Sequence, residues 1–444
     1  MKRFTFSWIV AVLAWLFAGG VVQAQPLQRL VPFDEFVSSV GTADFGLYSI
    51  RDEVKVRRDS DFEAMREHIL SMYEGVKVAH SFVMDSQVFD CVPIDQQPSV
   101  RQLGLGKALR EPPQPVVAEE EAGAKAFTGV TRLPSPLTLG LQDSFGNAVR
   151  CEQGTIPLRR ITLEELSRFE TLEKFFKKTP TGDPGLDLGD AKAAPSAVHK
   201  YAHASQSIKN YGGDSWLNIW NPTVNGSVGQ IFSLSQHWYV GGSGKSLQTV
   251  EGGWQAYPAK YGTSNSVLFI YWTADNYNKT GCYNLDCPAF VQTNSNWYLG
   301  GTWTNSSSLG GQQWEFQMQW QFTGGNWWLF LQGNGSFEAV GYYPGSVYRG
   351  GQLTRYATRV DYGGETVGTT SWPQMGSGVL ASSGYQQAAY QRYIFYLDST
   401  VRGTFTSLKP SQTSPRCYTL SYTPSSLGGL WHTYFFFGGP GGKC

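Results

Sequence analysis

Trp314-Glu-Phe-Gln-Met-Gln-Trp-Gln-Phe322 alternates a large apolar residue with a polar one along its whole length. Successive side chains of a β-strand point to opposite faces of its sheet, so this alternation predicts a strand with one apolar and one polar face. The even-numbered residues form the apolar face, and Glu315 with three glutamines forms the other. The stretch therefore predicts a β-sheet in this half of the chain.

The same pattern continues on both sides of this stretch, after about Tyr201. Short apolar or alternating runs are found at Ser266–Trp272, Trp327–Gln332, Tyr390–Leu397 and Thr433–Phe437. Gly-Gly pairs separate them, and the chain holds 51 glycines and 14% aromatic residues. Strands at this density without a helical stretch predict an all-β domain over residues 200–444, folded as an antiparallel β-sandwich of two sheets.

The region at residues 25–195 has a different pattern, which predicts a smaller mixed α+β unit. Ser60-Asp-Phe-Glu63 and Thr162-Leu-Glu-Glu165 are capping boxes, and each opens a segment with apolar residues at helical spacing. Those residues are Phe62, Met65, Ile69 and Met72 in the first segment, and Leu163, Leu166, Phe169, Leu172 and Phe176 in the second. Residues 111–126 are expected to form a loop, and residues 177–199, with Pro180, Pro184 and Pro195, a linker.

Charge is balanced overall but unevenly distributed. The chain has 35 Lys and Arg against 35 Asp and Glu, so no net field would attract it to nucleic acid or to an anionic membrane. Residues 201–444 hold only nine acidic and twelve basic residues, so 49 of the 70 charges lie before them. This asymmetry indicates two different physical units in one chain, which we expect to be a monomer.

The first 24 residues resemble a secretory signal. Lys2 and Arg3 give a basic start, Trp8 to Phe17 is apolar, and Val22-Gln-Ala24 supplies small residues for cleavage. No later segment has 18 uninterrupted apolar residues. We therefore expect a protein that is secreted, either extracellular or periplasmic, with no membrane contact once the signal is removed.

Six cysteines fit an oxidising compartment. Proximity favours the pairs Cys282–Cys287, Cys417–Cys444 and Cys91–Cys151, although fifteen connectivities are possible in principle. No second C-x-x-C and no H-x-x-x-H stands near these cysteines, so we expect no metal site.

Carboxylate chemistry is the remaining source of catalysis, because no nucleophile elbow and no H-E-x-x-H motif occurs. His237 is expected on a strand surface. Glu251 in Thr249-Val-Glu-Gly-Gly-Trp254 and Glu365 in Tyr362-Gly-Gly-Glu-Thr366 each adjoin a Gly-Gly pair and aromatic residues. Glycine lets a ligand approach closely, and facing carboxyls in an aromatic cleft titrate apart. On composition alone, carboxylates in surface turns remain the simpler interpretation.

Several ordered blocks resemble the neprosin family. They are Phe232-Ser-Leu-Ser-Gln-His-Trp238, Val250-Glu-Gly-Gly-Trp-Gln255 followed by Tyr257-Pro258, Phe269-Ile-Tyr-Trp-Thr-Ala-Asp275, Gly281-Cys-Tyr-Asn-Leu-Asp-Cys287, Phe290-Val-Gln-Thr-Asn294, Gly363-Gly-Glu365 and Gln374-Met-Gly-Ser-Gly378. Residues 200–444 are thus similar to the peptidase domain of that family. Asp90-Cys-Val-Pro-Ile-Asp95, Gln97-Pro98 and Gly154-Thr-Ile-Pro-Leu-Arg-Arg160 resemble its activation peptide.

This resemblance implies a glutamic endopeptidase that cuts proline-containing peptides or proteins after proline in acid. It also implies a secreted zymogen whose pro-region, residues 25–195, acts as an intramolecular inhibitor. The two catalytic glutamates of the family fall on Glu251 and Glu365. One would act as general base on water and the other as general acid, without metal or cofactor. Two departures are Asp361-Tyr362, where an acidic-Trp pair is usual, and Gly252, where Ala is common, which is expected to alter the pocket.

Eight further residues are candidates for substrate binding. Gln236, Tyr239, Gln292 and Asn294 are neutral donors for a developing oxyanion, and Trp238, Trp254, Tyr257 and Trp272 are candidates for an aromatic wall along an extended proline-bearing peptide. A structural role is at least as reasonable for each of them.

Acid is expected to release the pro-region. Low pH would protonate carboxylates and weaken ion pairs between the two units, with cleavage near Pro180–Pro195.

Two other functions fit the same composition. A glycoside hydrolase also uses two carboxylates and aromatic walls, and a non-catalytic carbohydrate-binding or cell-wall-binding β-sandwich would need neither glutamate. The ordered blocks favour the peptidase.

Overall fold

A computed structural model describes residues 29–117, 130–132, 141–178, 197–333, 335–427 and 429–444. The signal at residues 1–24, the second half of the loop expected at 111–126 and the prolines of the linker lie outside these residues. Within the described ranges, no helix is both long enough and apolar enough to cross a membrane.

The N-terminal unit contains six helices and four strands among its described residues. The helices are α1 (Phe33–Gly41), α2 (Phe45–Ser49), α3 (Asp59–Tyr73), α4 (Pro98–Gln102), α5 (Leu163–Ser167) and α6 (Leu172–Phe176), and the strands are β1 (His80–Met84), β2 (Gln87–Pro93), β3 (Val130–Arg132) and β4 (Thr155–Arg159). Strands β1, β2 and β4 form an antiparallel sheet. The disulfide Cys91–Cys151 links β2 to the chain before β4. The prediction of a mixed α+β unit is confirmed.

The two predicted helices differ in their outcome. Helix α3 buries Phe62, Met65, Ile69 and Met72 as expected. Its capping box was wrong, because the helix begins two residues earlier than Ser60 as N-cap predicts, and Arg58 occupies the N-cap without a side-chain bond to the backbone.

The second segment begins with the predicted capping box at Thr162 but divides into α5 and α6. The division arises because Thr171 caps a new helix by accepting a hydrogen bond from Lys174 N. Phe175 rather than Phe176 is then buried.

The β domain contains fifteen strands and one short helix among its described residues. They are β5 (Val198–Asn210), β6 (Gly212–Asn218), β7 (Gln230–Gly241), β8 (Gln248–Ala256), α7 (Pro258–Tyr261), β9 (Val267–Thr273), β10 (Val291–Gln292), β11 (Gln313–Thr323), β12 (Asn326–Gln332), β13 (Glu338–Pro344), β14 (Ala357–Gly368), β15 (Ala389–Leu397), β16 (Gly403–Phe405), β17 (Lys409–Gln412), β18 (Thr419–Thr423) and β19 (Tyr434–Gly438). The five runs that predicted strands correspond to β9, β11, β12, β15 and β19.

Two antiparallel sheets form the sandwich. The sheet that we call the short sheet has the order β17-β5-β14-β7-β8-β9, and the long sheet has the order β10-β13-β12-β11-β6-β15-β19-β18, with β16 beside β15 and β3 parallel to β11. This is the predicted fold class.

The apolar face of β11 lies between the sheets. A Cβ atom placed on Gly252 of the short sheet would lie 3.1 Å from Met318 Sδ and 3.2 Å from Trp320 Nε1. The Trp320 ring also stacks on Tyr343 of β13, with ring centroids 5.6 Å apart. The even-numbered residues of β11 therefore form the core of the sandwich, because they bury large aromatic area against the facing sheet.

Two more disulfides are present as predicted. Cys282–Cys287 closes the loop after β9, and Cys417–Cys444 ties the C-terminus to the chain before β18. Three disulfides are consistent with folding in an oxidising compartment.

Candidate active site

Glu251 lies at the centre of β8, on the outer face of the short sheet. Its neighbours across the sheet are Trp238 of β7 and Tyr271 of β9. Alternation along the strand points Gly252 into the sandwich and Glu251 away from it. Gly253 is required because a Cβ atom there would lie 1.9 Å from Ser235 O.

Glu365 reaches the same face from β14. Strand β7 separates β14 from β8, so the backbones that carry Glu251 and Glu365 are two strand spacings apart, about 10 Å. Gly363 precedes Glu365 with a φ of 150°, and a Cβ atom there would lie 2.5 Å from Ala202 O. One glycine of each pair is thus explained by close backbone approach within the sheet, and the other, Gly252 or Gly364, by side chains in the core of the sandwich.

A lysine from the N-terminal unit joins the two carboxylates. Lys178 Nζ lies 2.5 Å from Glu251 Oε2 and 2.9 Å from Glu365 Oε2. All three side chains are at most 4% exposed. The two Oε2 atoms share one ammonium group, so the glutamates form a dyad across which a small reacting group fits.

Electrostatics keep this cluster ionised. Burial alone would raise the pKa of Glu365, but Lys178 and a hydrogen bond from His199 outweigh it and lower that pKa to about 2. Burial opposes the charge on Lys178, yet the two carboxylates outweigh it and the pKa of the ammonium lies above its usual value. The Lys178 ammonium, which we call the plug, fills the space between the two carboxylates.

Each glutamate has its own set of supporting groups. Glu251 Oε1 accepts hydrogen bonds at 2.7 Å from both Thr249 Oγ1 and Tyr277 Oη. Glu365 Oε1 lies 2.5 Å from His199 Nδ1, and Gln236 Nε2 lies 3.5 Å from its Oε2. In both residues Oε1 is held by the protein, which leaves Oε2 directed at the space that the lysine fills.

Of the eight predicted substrate-binding residues, two lie beside the dyad. Gln236 contacts Glu365 as described, and the Trp238 ring lies 5.0 Å from Lys178 Nζ. Trp238 also meets the Tyr201 ring edge-on at 6.3 Å. Trp238 and Tyr201 therefore form an aromatic wall at one side of the dyad.

Three of the predicted residues form part of the core instead of a groove. Tyr239 stacks on Trp327 of the long sheet, Trp254 is fully buried with its indole N–H on Asn218 O, and Trp272 packs against Tyr343. Side chains alternate between the two faces of a strand, and each of these three lies an odd number of positions from an outward-facing residue of its own strand, so it points into the sandwich. The assignment to the wall is corrected for these three.

Tyr257, Gln292 and Asn294 lie where the two units meet or near the edge of the long sheet. Tyr257 packs between Phe232 and Phe169 of the N-terminal unit. Gln292 Nε2 donates to Trp297 O, and Asn294 Nδ2 donates to Ala339 O. Their side chains are engaged in local structure, and the structure does not bring them to the dyad.

His237 is not on a surface, which corrects that expectation. It points into the sandwich, with Nε2 2.7 Å from Ser215 Oγ, and burial lowers its pKa to about 3. Gly252 also points inward, so its departure from the family pattern affects the core and not the pocket, contrary to the expectation from the sequence.

Sequence reasoning missed five residues of this site: Lys178, His199, Tyr201, Thr249 and Tyr277. Thr249 precedes Glu251 by two positions, so period two alone places both on one face. Lys178 and His199 fall in the segment expected to be a linker, and nothing local in the sequence marks them. Tyr277 follows β9 in a tight turn with a positive φ of 59°.

The family comparison bears on the domain that holds this dyad. The family model described as Neprosin matches residues 229–440, a range that includes both glutamates and excludes Lys178. The chain carries a neprosin domain. This domain supports a peptidase function.

Two solved structures match about half of this chain. One is described as the crystal structure of Scytalido-glutamic peptidase with a peptide-based transition state analog, at 10% identity over 55% of this chain and 99% of that chain, with a TM-score of 0.33. The other is SCP-B, a member of the eqolisin family of peptidases, with the tripeptide Ala-Ile-His, at 8% identity over the same shares and a TM-score of 0.30. Likeness at this level says nothing of individual residues.

The described residues hold no group of three or more His, Cys, Asp and Glu side chains placed to bind a metal ion.

Proposed function

We propose that this chain is the secreted zymogen of a glutamic endopeptidase that cleaves after proline at acid pH, with Glu251 and Glu365 as the catalytic pair. The observation that supports it is the pair of buried carboxylates that share one ammonium. The residues of the activation peptide, 25–195, would inhibit the domain at 200–444, and the three disulfides agree with secretion.

The supporting groups favour different roles for the two glutamates. Glu365 keeps His199 as a partner after the lysine leaves, and a protonated histidine stabilises a carboxylate. Glu365 is therefore the general base. Glu251 keeps only neutral hydroxyl donors on Oε1, so we assign it the role of general acid.

The reaction then follows from this arrangement. Glu365 takes a proton from water while the water oxygen bonds to the scissile carbonyl carbon. The Glu251 proton bonds to the carbonyl oxygen as negative charge develops there. The C–N bond breaks as Glu365 passes the proton that it took from water to the leaving nitrogen. The hydroxyl formed from the carbonyl oxygen returns its proton to Glu251 as the product carboxyl forms, which restores one carboxylate and one carboxyl for the next cycle.

The wall formed by Trp238 and Tyr201 supports a preference for proline. Proline rings pack on aromatic faces, and a proline-containing peptide is already extended, so it loses little conformational entropy in an open groove. The outer face of the short sheet offers this wall directly beside the dyad.

Latency would depend on Lys178. While its ammonium lies between the carboxylates, neither water nor a peptide carbonyl can reach both. The following residues, 179–196, lead to β5, which pairs with the strand of Glu365. A cut within this segment would separate the lysine from the domain that it closes.

The lysine contact is sensitive to acid, whereas two other contacts of the interface are uncharged. The pKa of Glu365 is lowered to about 2, so the stability of this cluster is complete above pH 4.5 and is lost as the pH falls toward 2. Gln97, by contrast, holds the edge strand β10 through two uncharged bonds, 2.8 Å to Gln292 O and 2.9 Å from Gln292 N. Gln87 makes a similar pair of bonds to Gly300 O and Thr302 N. Charged groups other than Lys178 also lie at this interface, since the Asp85 carboxylate accepts from Thr263 and Asn265 of the β domain.

The deciding experiment is digestion of a fluorogenic peptide with one proline, between pH 2 and 8, after preincubation in acid. Glu251→Gln and Glu365→Gln should each lose at least about a thousandfold in kcat, because each removes a proton-transfer group. Glu338→Gln, a glutamate away from the dyad, is the matched control and should retain activity. Cleavage that survives in either dyad variant would refute the proposal, and release of reducing sugar from polysaccharide would favour the glycoside hydrolase.

A further inference from the structure

The long sheet has an outer face, turned away from the glutamates, which is lined with aromatic and amide side chains. Cross-strand pairs place Gln319 of β11 beside Asp214 of β6 and beside Phe330 of β12, and place Trp328 of β12 beside Tyr342 of β13. Directly paired residues share a face, and Met318 and Trp320 occupy the opposite one. These five side chains are at most 2% exposed. This outer face must therefore be covered.

Residues 109–117 of the N-terminal unit, which we call the strap, contact this face. Their sequence is Leu-Arg-Glu-Pro-Pro-Gln-Pro-Val-Val, with three prolines in nine residues. At one end Leu109 N donates to Tyr342 Oη at 3.0 Å. At the other end Val116 packs against the cluster of Trp216 and its aromatic neighbours. Between the ends the strap is half-buried or exposed, without helix or strand.

Gln319 binds the strap through its backbone. Val116 N donates to Gln319 Oε1 at 2.8 Å, and Gln319 Nε2 donates to Val116 O at 2.7 Å. Both groups of one peptide residue are thus matched by one side-chain amide. This contact recognises an extended chain and does not depend on the side chain at that position.

The amide of Gln319 is fixed before any peptide arrives. Its Nε2 also donates to Asp214 Oδ2 at 3.0 Å, and Asp214 Oδ1 accepts from Gln317 Nε2 at the same distance. This arrangement holds Oε1 toward the strap as an acceptor. A buried amide held in one orientation by a carboxylate is a preorganised recognition group.

We infer that this outer face is a second peptide-binding site, and that its ligand class is the extended, proline-rich polypeptide. Aromatic side chains with a few polar groups that match the backbone are how proline-rich segments are bound elsewhere. In this chain the strap occupies the site. Peptide binding there does not depend on the activity of the dyad. That the bound peptide is part of a substrate rests on the proposed function.

The test uses the full chain with residues 109–117 replaced by a Gly/Ser segment of equal length, combined with Glu365→Gln so that no peptide is cut. A fluorescein-labelled peptide of the strap sequence should bind, as measured by anisotropy at pH 7. The same peptide with an N-methyl group on Val116 should bind about tenfold more weakly, because it cannot donate to Gln319. A proline-rich peptide of unrelated sequence should compete, and a proline-free peptide of equal length should not.

Two substitutions locate the binding. Gln319→Ala in the same background should weaken binding at least tenfold, whereas Gln321→Ala, whose amide bonds Thr323, should not. If the replaced strap prevents folding, Val116→Pro in the native strap serves instead, because proline has no N–H to donate to Gln319. The peptide should then bind this variant at least tenfold more tightly than it binds the wild type. Equal binding of the N-methyl peptide, or failure of the unrelated proline-rich peptide to compete, would reduce the strap to an anchor of the N-terminal unit. An inactive dyad would leave these results unchanged, since no cleavage is measured.

Discussion

Replacement of Lys178 by methionine tests whether the lysine contact holds the N-terminal unit on the dyad. The change keeps the alkyl chain and removes the ammonium, so two buried carboxylates are left facing each other. The pKa of Glu365 lies at about 2 against an ordinary value of 4.5, which corresponds to about 3 kcal/mol of stability at neutral pH. Loss of one partner from a buried ion pair costs about 3–5 kcal/mol, which agrees.

The direction with pH follows from the lowered pKa of Glu365. Its contribution is complete above pH 4.5 and disappears as the pH falls toward 2. Lys178→Met should therefore lower the free energy of unfolding by at most about 3 kcal/mol at pH 7, because His199 shares in lowering this pKa, and by progressively less below pH 4.5. Urea unfolding followed by tryptophan fluorescence at several pH values measures this, with gels to show that the chain is intact.

Lys177→Met is the matched control, because Lys177 pairs with Glu173 at the surface and the change should cost less than about 0.5 kcal/mol. The Lys178 variant should also cleave a short fluorogenic peptide without acid preincubation. If the two variants have the same free energy of unfolding at pH 7, and that of Lys178→Met does not vary with pH, then Lys178 does not stabilise the protein through the two carboxylates.

Three further outcomes follow from the same geometry. His199→Ala should lower kcat about tenfold or more and shift the acid limb of its pH profile upward, while His199→Asn, which keeps a donor, should restore part of both. Gly252→Ala should lower the free energy of unfolding by about 1–2 kcal/mol because its Cβ would lie 3.1 Å from Met318 Sδ, yet leave kcat unchanged in a matched peptide assay. Gln97→Ala removes both bonds to Gln292. It should weaken binding of a separately added N-terminal unit to the β domain equally at pH 7 and pH 4, as measured by calorimetry. Weaker binding at pH 7 alone would contradict an uncharged contact.

Local pattern was sufficient for the elements and for the fold class. The alternation in 314–322 fixed which face of β11 enters the core, and the capping box at Thr162 fixed where α5 begins. These features depend on neighbours a few residues apart, so they can be read along the chain. The break between α5 and α6 was missed because one more capping threonine, Thr171, competes with a continuous helix.

The candidate site was only partly accessible to the same reasoning. Glu251 and Glu365 were identified from their glycines and from a resemblance, and their meeting on one face depends on strand order, with β7 between β8 and β14. Tyr239, Trp254 and Trp272 were assigned to a groove wall because composition does not distinguish a wall from a core. Whether such a residue lines a wall or the core depends on which face of the sheet its side chain points to, and this requires the register of the sheet.

What the sequence by itself determined is the sandwich class, the five strands with a clear apolar pattern and the three cysteine pairs, because periodicity, spacing and residue type are local properties. It also singled out Glu251 and Glu365 as candidates. What only the tertiary structure decided is which groups meet across the chain. Lys178 reaches Glu251, 73 residues away, and Val116 reaches Gln319, 203 residues away. Such contacts are selected by packing free energy summed over two units, which no stretch of neighbouring residues contains.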